Sequence, residues 1–287
     1  MDIDPGSGFC FGVVRAIGRA EESLAAGERV FSLGDIVHNR LEVQRLEAMG
    51  LVTVTHDDLE SLGGRTLLIR AHGEPPQTFR RAAEAGLRVI DATCPVVARL
   101  QGEVVRAHAD MASCGGTVVI LGKKGHPEVV GLAGQVPDRC VVVERMEDLE
   151  SVDFSRPIYF LSQTTQSLSL FRQMAEAIEQ RAGDPSGVKV HDTICRRVAN
   201  RESHLREFAA GYDAVIFVCG RKSSNGRVLF GVCREANART YHIEEESELQ
   251  PSWFGDVRSV GVCGATSTPA WLMERVARAV RELQTKK

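Results

Sequence analysis

The sequence lacks a basic excess: 35 lysines and arginines stand against 38 acidic residues, a formal net charge of −3 at neutral pH. That removes the electrostatic footprint a nucleic-acid-binding domain carries. No apolar run reaches the roughly 20 residues needed to cross a bilayer. Neither nucleic acid nor membrane is therefore an expected partner. The amino-terminal MDIDPGSGF has neither the basic region nor the apolar core of a secretory signal, so the expected location is cytoplasmic. Low-complexity tracts are absent, and Gly34-Asp35 and Gly122-Lys123 do not open a G-x-G-x-x-G fingerprint. Without a dinucleotide or flavin motif, electrons for any redox step must come from outside. The closely paired cysteines of a zinc finger are missing too. What is present is eight cysteines, which in a cytoplasmic chain read as metal ligands or redox groups before disulfides.

At 287 residues the chain exceeds the roughly 100 to 200 residues of a single domain, and it repeats itself. GSGFCFGVVRAI (from Gly6), GLRVIDATCPVVAR (from Gly86) and GVKVHDTICRRVAN (from Gly187) each place Val three residues after a cysteine, making one column of Cys10, Cys94 and Cys195. The likeness continues. Apolar runs end at Gly34, Gly122 and Gly220, and four residues later stand His38, His126 and Ser224. Further runs end at Ala71-His72-Gly73, Gln163-Thr164-Thr165 and Ala265-Thr266-Ser267. A fixed period of this kind marks repeated supersecondary units. Short apolar runs alternating with amphipathic helix-length segments indicate parallel β-α units. The expected fold is α/β, with three pseudo-repeated α/β domains, mainly parallel sheets, arranged as a trefoil around a central site. The expected boundaries are 11–91, 92–186 and 187–287, with 1–10 joining the centre and the strand Val188 to His191 opening the third unit.

Ligands bind at the carboxyl ends of parallel strands, where these columns fall. Each column cysteine follows an expected strand and precedes an expected helix, a position that favours thiolate. Three such ligands are one short of the usual four-cysteine iron–sulfur site, so on a 4Fe–4S cluster they would leave one iron open. Cys114, Cys140, Cys219, Cys233 and Cys263 lie in or beside apolar stretches and are expected as small core residues. His38, His72 and His126 stand on loops beside Gly, Pro or Asn. Anion binding is favoured over a metal role for them, because the third unit offers hydroxyls and amides (Ser223, Ser224, Asn225, Thr266, Ser267) in their place, and these suit phosphate oxygens. Glu128, in GHPEV, is the carboxylate beside these groups. It reads either as a helix-start glutamate or as a proton donor, with Thr164 in a hydroxyl relay.

Together SGFCFGVVRAI, DIVHN, RAHGEPP, DATCPVV, GHPEV, SQTTQS, DTICRRVANR, GRKSSNG and GATSTPAWL resemble the 4-hydroxy-3-methylbut-2-enyl diphosphate reductase family, along nearly the whole chain. The resemblance implies reductive loss of an allylic hydroxyl to give isopentenyl and dimethylallyl diphosphates, the last step of the non-mevalonate isoprenoid pathway. It implies a 4Fe–4S cluster on Cys10, Cys94 and Cys195 with an open fourth iron that takes the substrate oxygen. His38, His72, His126, Ser223, Ser224, Asn225 and Ser267 would bind the diphosphate, Glu128 with Thr164 would deliver protons, and a reduced ferredoxin or flavodoxin would donate electrons. The chain departs from the pattern where many members read arginine in place of Ser7, and where another Asn is replaced by Lys222 before Ser223. The competing readings are a non-enzymatic iron–sulfur sensor, a zinc hydrolase of a phosphorylated ligand, and another three-cysteine cluster enzyme of the quinolinate synthase kind.

Overall fold

The computed structural model of the protein describes residues 1–136 and 140–285. In chain order the elements are β1 (Asp2–Ile3), α1 (Phe11–Ala25), β2 (Val30–Leu33), α2 (Arg40–Ala48), β3 (Val52–Val54), β4 (Thr66–Ile69), α3 (Pro76–Glu84) and β5 (Arg88–Asp91). Then come α4 (Pro95–Cys114), β6 (Thr117–Leu121), α5 (Pro127–Ala133), β7 (Cys140–Val143), β8 (Ile158–Ser162), α6 (Leu168–Arg181) and β9 (Val188–Val190). The chain finishes with α7 (Arg196–Ala210), β10 (Ala214–Val218), α8 (Ser224–Ala236), β11 (Thr240–Ile243), β12 (Val260–Gly264) and α9 (Ala270–Thr285). Three four-stranded sheets result, in the orders β3-β2-β4-β5, β7-β6-β8-β9 and β11-β10-β12-β1. Every strand pair in them is parallel.

The central strands are buried along their length, as in VFSL, TLLI, TVVIL, AVIFV and VGVCG. A parallel strand covered by helices on both faces needs such unbroken apolar runs. Prolines open α3, α4 and α5 at the first turn, where the missing N–H costs nothing. On α4, Leu100, Val104, Ala107 and Met111 form one stripe against Val118, Ile120 and Leu161 of the second sheet. Each fully buried Leu or Val there contributes about 1.5 to 3 kcal/mol. In the third sheet, α9 covers one face through Leu272, Met273, Val276 and Val280, while α7 and α8 supply Leu205, Ala209, Leu229 and Cys233 to the other.

The third sheet is completed by the amino terminus, since β1 takes the edge that β5 and β9 take in the other two. Each of Cys10, Cys94 and Cys195 thus follows the last strand of a sheet, which is the physical origin of their common column. The strand expected to open the third repeat instead closes the second sheet, with Val190 paired to Phe160. It does so for the reason its likeness to GLRVID implies, because β5 likewise closes the first sheet.

The chain divides into two compact units, one of Met1–Val14, Val37–Ala48 and the chain from Arg196 onward, the other of Arg15–Ile36 and Met49–Cys195. Helix α2, placed by the sequence inside the first repeat, packs on the third sheet. Leu41 joins that sheet's core, and Trp271 Nε1 donates to the buried Glu42 carboxylate at 2.9 Å.

Asp4, directly after β1, is buried and accepts hydrogen bonds from Ser7 Oγ (2.6 Å) and Arg201 Nη2 (2.7 Å), with His204 Nε2 at 2.6 Å. Arg201 Nη2 and Gly264 N–H also donate to Ser7 Oγ, each at 2.9 Å. A cation therefore stands beside Ser7, but it comes from α7. Burial pushes the Asp4 carboxyl up, but the bonds from Ser7, His204 and Arg201 together bring it below its ordinary value. Asp4→Ala leaves the Arg201 guanidinium without its anion, and urea unfolding should show a loss of about 3 kcal/mol at neutral pH. A depressed carboxyl stabilises the fold above its ordinary pKa of 3.8 and stops doing so as the pH falls below it, so the difference between parent and variant should shrink in acid.

Candidate active site

Backbone register aligns the three loops more closely than residue type does. Leu33, Leu121 and Val218 are the last residues paired with the outer strands. The next N–H in each case, from Gly34, Gly122 and Cys219, donates to Val54, Val143 and Ile243 at 2.8, 2.8 and 3.0 Å. Cys219, and not Gly220, is the counterpart of the two glycines. Counting four residues on, Ser223 takes the place of His38 and His126, which corrects the expectation of Ser224 in that column. His126 and Ser223 are both helix N-caps, accepting from Glu128 N at 3.2 Å and Gly226 N at 3.0 Å respectively. Register also shifts the second column by one residue. Ile69, Ser162 and Gly264 align, since Leu121 pairs with Ser162 and Val218 with Gly264, and β2 and β4 pair Ser32 with Leu68. Ala71, Thr164 and Thr266 are consequently equivalent, and they receive the cysteine N–H groups. Cys94 donates to Ala71 O at 3.0 Å, Cys195 to Thr164 O at 2.9 Å and Cys10 to Thr266 O at 3.1 Å.

In the unit holding the first two sheets, Glu128 lies at the start of α5 and is 2% exposed. Thr164 grips its carboxyl twice, N–H to Oε1 at 2.7 Å and Oγ1 to Oε2 at 2.9 Å. Burial is the dominant influence and lifts the carboxyl to about 7 against these two bonds. Near neutral pH it both holds and releases a proton, the property a general acid needs. His126 Nδ1 accepts from Glu128 N at 3.2 Å and faces Gln163 Nε2 at 3.1 Å, so a neutral ring carries its proton on Nε2, the nitrogen able to donate to an anion. The His72 ring meets that of His126 edge-on, with centroids 5.3 Å apart. Gln163, fully buried, also donates to Thr165 Oγ1 at 2.9 Å; the sequence marked it only as part of the Gln163-Thr164-Thr165 run, with no contact to His126 foreseen. Its position directly after a buried strand was the available signal.

In the other unit, Ser267 Oγ donates to Ser223 Oγ at 3.1 Å, and Asn225 Nδ2 donates to Thr266 Oγ1 at 2.6 Å. Ser224 is the half-buried first residue of α8. His38 lies between β2 and α2, its carbonyl so close to Gly220 that a Cβ there would run into it. The column cysteines Cys10, Cys94 and Cys195 are all half-buried. Of the other five, Cys219, Cys233 and Cys263 are buried as expected. Cys114 is exposed at the end of α4, where its thiol turns back onto the Asp110 and Met111 carbonyls at 3.6 and 3.5 Å. Cys140 is half-buried. Among the described residues, no helix is long and apolar enough to cross a membrane.

The pattern of the LytB protein family matches residues 3–281. The chain belongs to that family. A 4-hydroxy-3-methylbut-2-enyl diphosphate reductase of Parabacteroides distasonis is 50% identical over 283 residues, covering 99% of this chain and 98% of the relative. One from Bacteroides thetaiotaomicron is 49% identical over 276 residues and 96% of each chain. Among solved structures, (E)-4-hydroxy-3-methyl-but-2-enyl diphosphate reductase, the terminal enzyme of the non-mevalonate pathway, superposes with a TM-score of 0.72 at 36% identity over 98% of this chain and 99% of that one. The E-1-hydroxy-2-methyl-but-2-enyl-4-diphosphate reductase from Plasmodium falciparum gives 0.86 at 25% identity over 96% and 86%. As a LytB family member the chain is an oxidoreductase.

A carboxyl raised to about 7 should be visible directly. In infrared difference spectra across a pH titration, the parent should lose a protonated-carboxyl band with a midpoint close to neutrality, and Glu128→Gln should lack that band. The raised value also sets a sign for stability. The Glu128 contribution is complete below its ordinary pKa of 4.5 and is lost as the pH rises to about 7, so the parent should weaken relative to Glu128→Gln over that window.

Proposed function

We propose that this chain reduces 4-hydroxy-3-methylbut-2-enyl diphosphate to isopentenyl and dimethylallyl diphosphates, with Glu128 delivering protons. The observation that carries the proposal is the Glu128–Thr164 pair, a buried carboxyl lifted to about 7 and held by two hydrogen bonds two residues from a histidine N-cap. In the reaction an allylic C–O bond breaks, the oxygen leaves as water, and the carbon skeleton takes up two electrons and a proton. Two protons are consumed in all. Glu128 protonates the departing oxygen, and the Thr164 hydroxyl, which both donates and accepts, keeps that proton in place until transfer and returns one afterwards. His38, His72, His126, Ser223, Ser224, Asn225 and Ser267 take the diphosphate, supplying imidazole, hydroxyl and amide groups that match its oxygens.

Cys10, Cys94 and Cys195 would hold a 4Fe–4S cluster. The donor set fits it: three thiols, each half-buried at the start of a helix, are the ligand type that iron–sulfur clusters take. When bound, the cluster supplies single-electron transfer and one iron without a cysteine. The electrons come from an external carrier such as ferredoxin or flavodoxin.

Two experiments test these roles. After anaerobic purification, Ser at position 10, 94 or 195 should remove the cluster absorption and the activity, whereas Cys114→Ser and Cys140→Ser should keep both; equal loss from all five would sink the ligand assignment. In steady-state kinetics with a chemical reductant, Glu128→Gln should lower kcat by about 100-fold or more with a much smaller change in KM. His126→Ala should chiefly raise KM, because its donor serves ground and transition states alike.

A further inference from the structure

We propose that Thr266 is a positioning residue for the diphosphate, acting through Asn225; this rests on the function proposed above. By register Thr266 is the counterpart of Thr164, and it makes the same two connections. Its carbonyl receives a cysteine N–H, here Cys10 at 3.1 Å. Its hydroxyl meets the side chain two residues beyond a helix N-cap, here Asn225 at 2.6 Å. Asn225 is 4% exposed, and its Oδ1 is buried and accepts no hydrogen bond among the described residues. A buried amide oxygen without a donor is costly, and a phosphate oxygen cannot supply one because it too is an acceptor.

The two faces of the amide resolve the conflict. Turned by half a rotation, Asn225 presents Nδ2 to the anion and Oδ1 to Thr266. The Thr266 hydroxyl, which accepted from Nδ2 before, now donates to Oδ1. Only a group that both donates and accepts serves the two orientations, so the hydroxyl lets the amide turn toward a ligand without losing its anchor. Valine, of the same shape, would serve neither orientation. Replacing the side chain leaves the Thr266 carbonyl, and so the Cys10 bond, in place.

The test uses the anaerobically purified, cluster-loaded full chain as parent, Thr266→Val, Thr266→Ser, Asn225→Ala and the Thr266→Val/Asn225→Ala double variant. Calorimetry with inorganic pyrophosphate gives Kd, and steady-state assays with the allylic diphosphate and a chemical reductant give KM and kcat. Thr266→Val should weaken pyrophosphate binding and raise KM by about three- to tenfold, the worth of one hydrogen bond, with kcat within about twofold. Thr266→Ser should restore both. In the Asn225→Ala background Thr266→Val should add nothing, since the two act as one unit. Parent-like binding by Thr266→Val, failure of Ser to rescue, or an undiminished effect without Asn225 each overturns the inference while leaving the proposed function intact. A parent that binds neither pyrophosphate nor substrate overturns both.

Discussion

Three backbone hydrogen bonds organise the candidate site, those from the N–H groups of Cys94, Cys195 and Cys10 to the carbonyls of Ala71, Thr164 and Thr266. Each ties the loop leaving a sheet's last strand to the loop leaving the strand beside it. The consequence is that one short segment sets two things at once: where a thiol stands, and where a polar side chain of the neighbouring loop stands. Thr164 shows this most fully. Its carbonyl holds Cys195 while its N–H and hydroxyl hold Glu128. A shift in that loop would move Cys195 and Glu128 together.

Much of this was legible in the sequence, and the exceptions have physical causes. The cysteine column could be read because each Cys sits between a strand end and a helix start, two boundaries with strong local signals. The edge strand β1 could not, because two residues, Asp2–Ile3, are too few to show a period. Helix α2 carries a charged sequence, RLEVQRLEA, and nothing in it foretells that Glu42 is buried against Trp271 and Arg45. The serine column was read one residue late because Gly220 looks like Gly34 and Gly122 while being there for a different reason. Gly34 adopts φ +74°, a left-handed conformation that favours glycine, and Gly122 is packed against Val129. Gly220 makes room for the His38 carbonyl. The same residue type, kept by three different contacts, is a poor ruler for alignment, whereas ladder hydrogen bonds cannot slip without flipping a strand. Cys114 was misplaced because it lies close to the apolar run of β6 although its own position, at the end of α4, is exposed.

Register also shows how one repeated position carries different chemistry in each repeat. The residue two beyond each column member is Arg40, Glu128 or Asn225. Arg40 points away to Glu245 at 3.0 Å, with Gln44 also within reach. Glu128 and Asn225 each turn onto a threonine, Glu128 with a carboxyl one methylene further out and Asn225 with an amide. Desolvation has lifted the one carboxyl to about 7, where its proton is mobile. A carboxyl at position 225, which is 4% exposed, would be lifted by burial in the same way. An amide avoids this. It keeps the threonine contact and cannot ionise. The repeat supplies equivalent positions, and the choice between carboxyl and amide at one of them decides which of them can titrate.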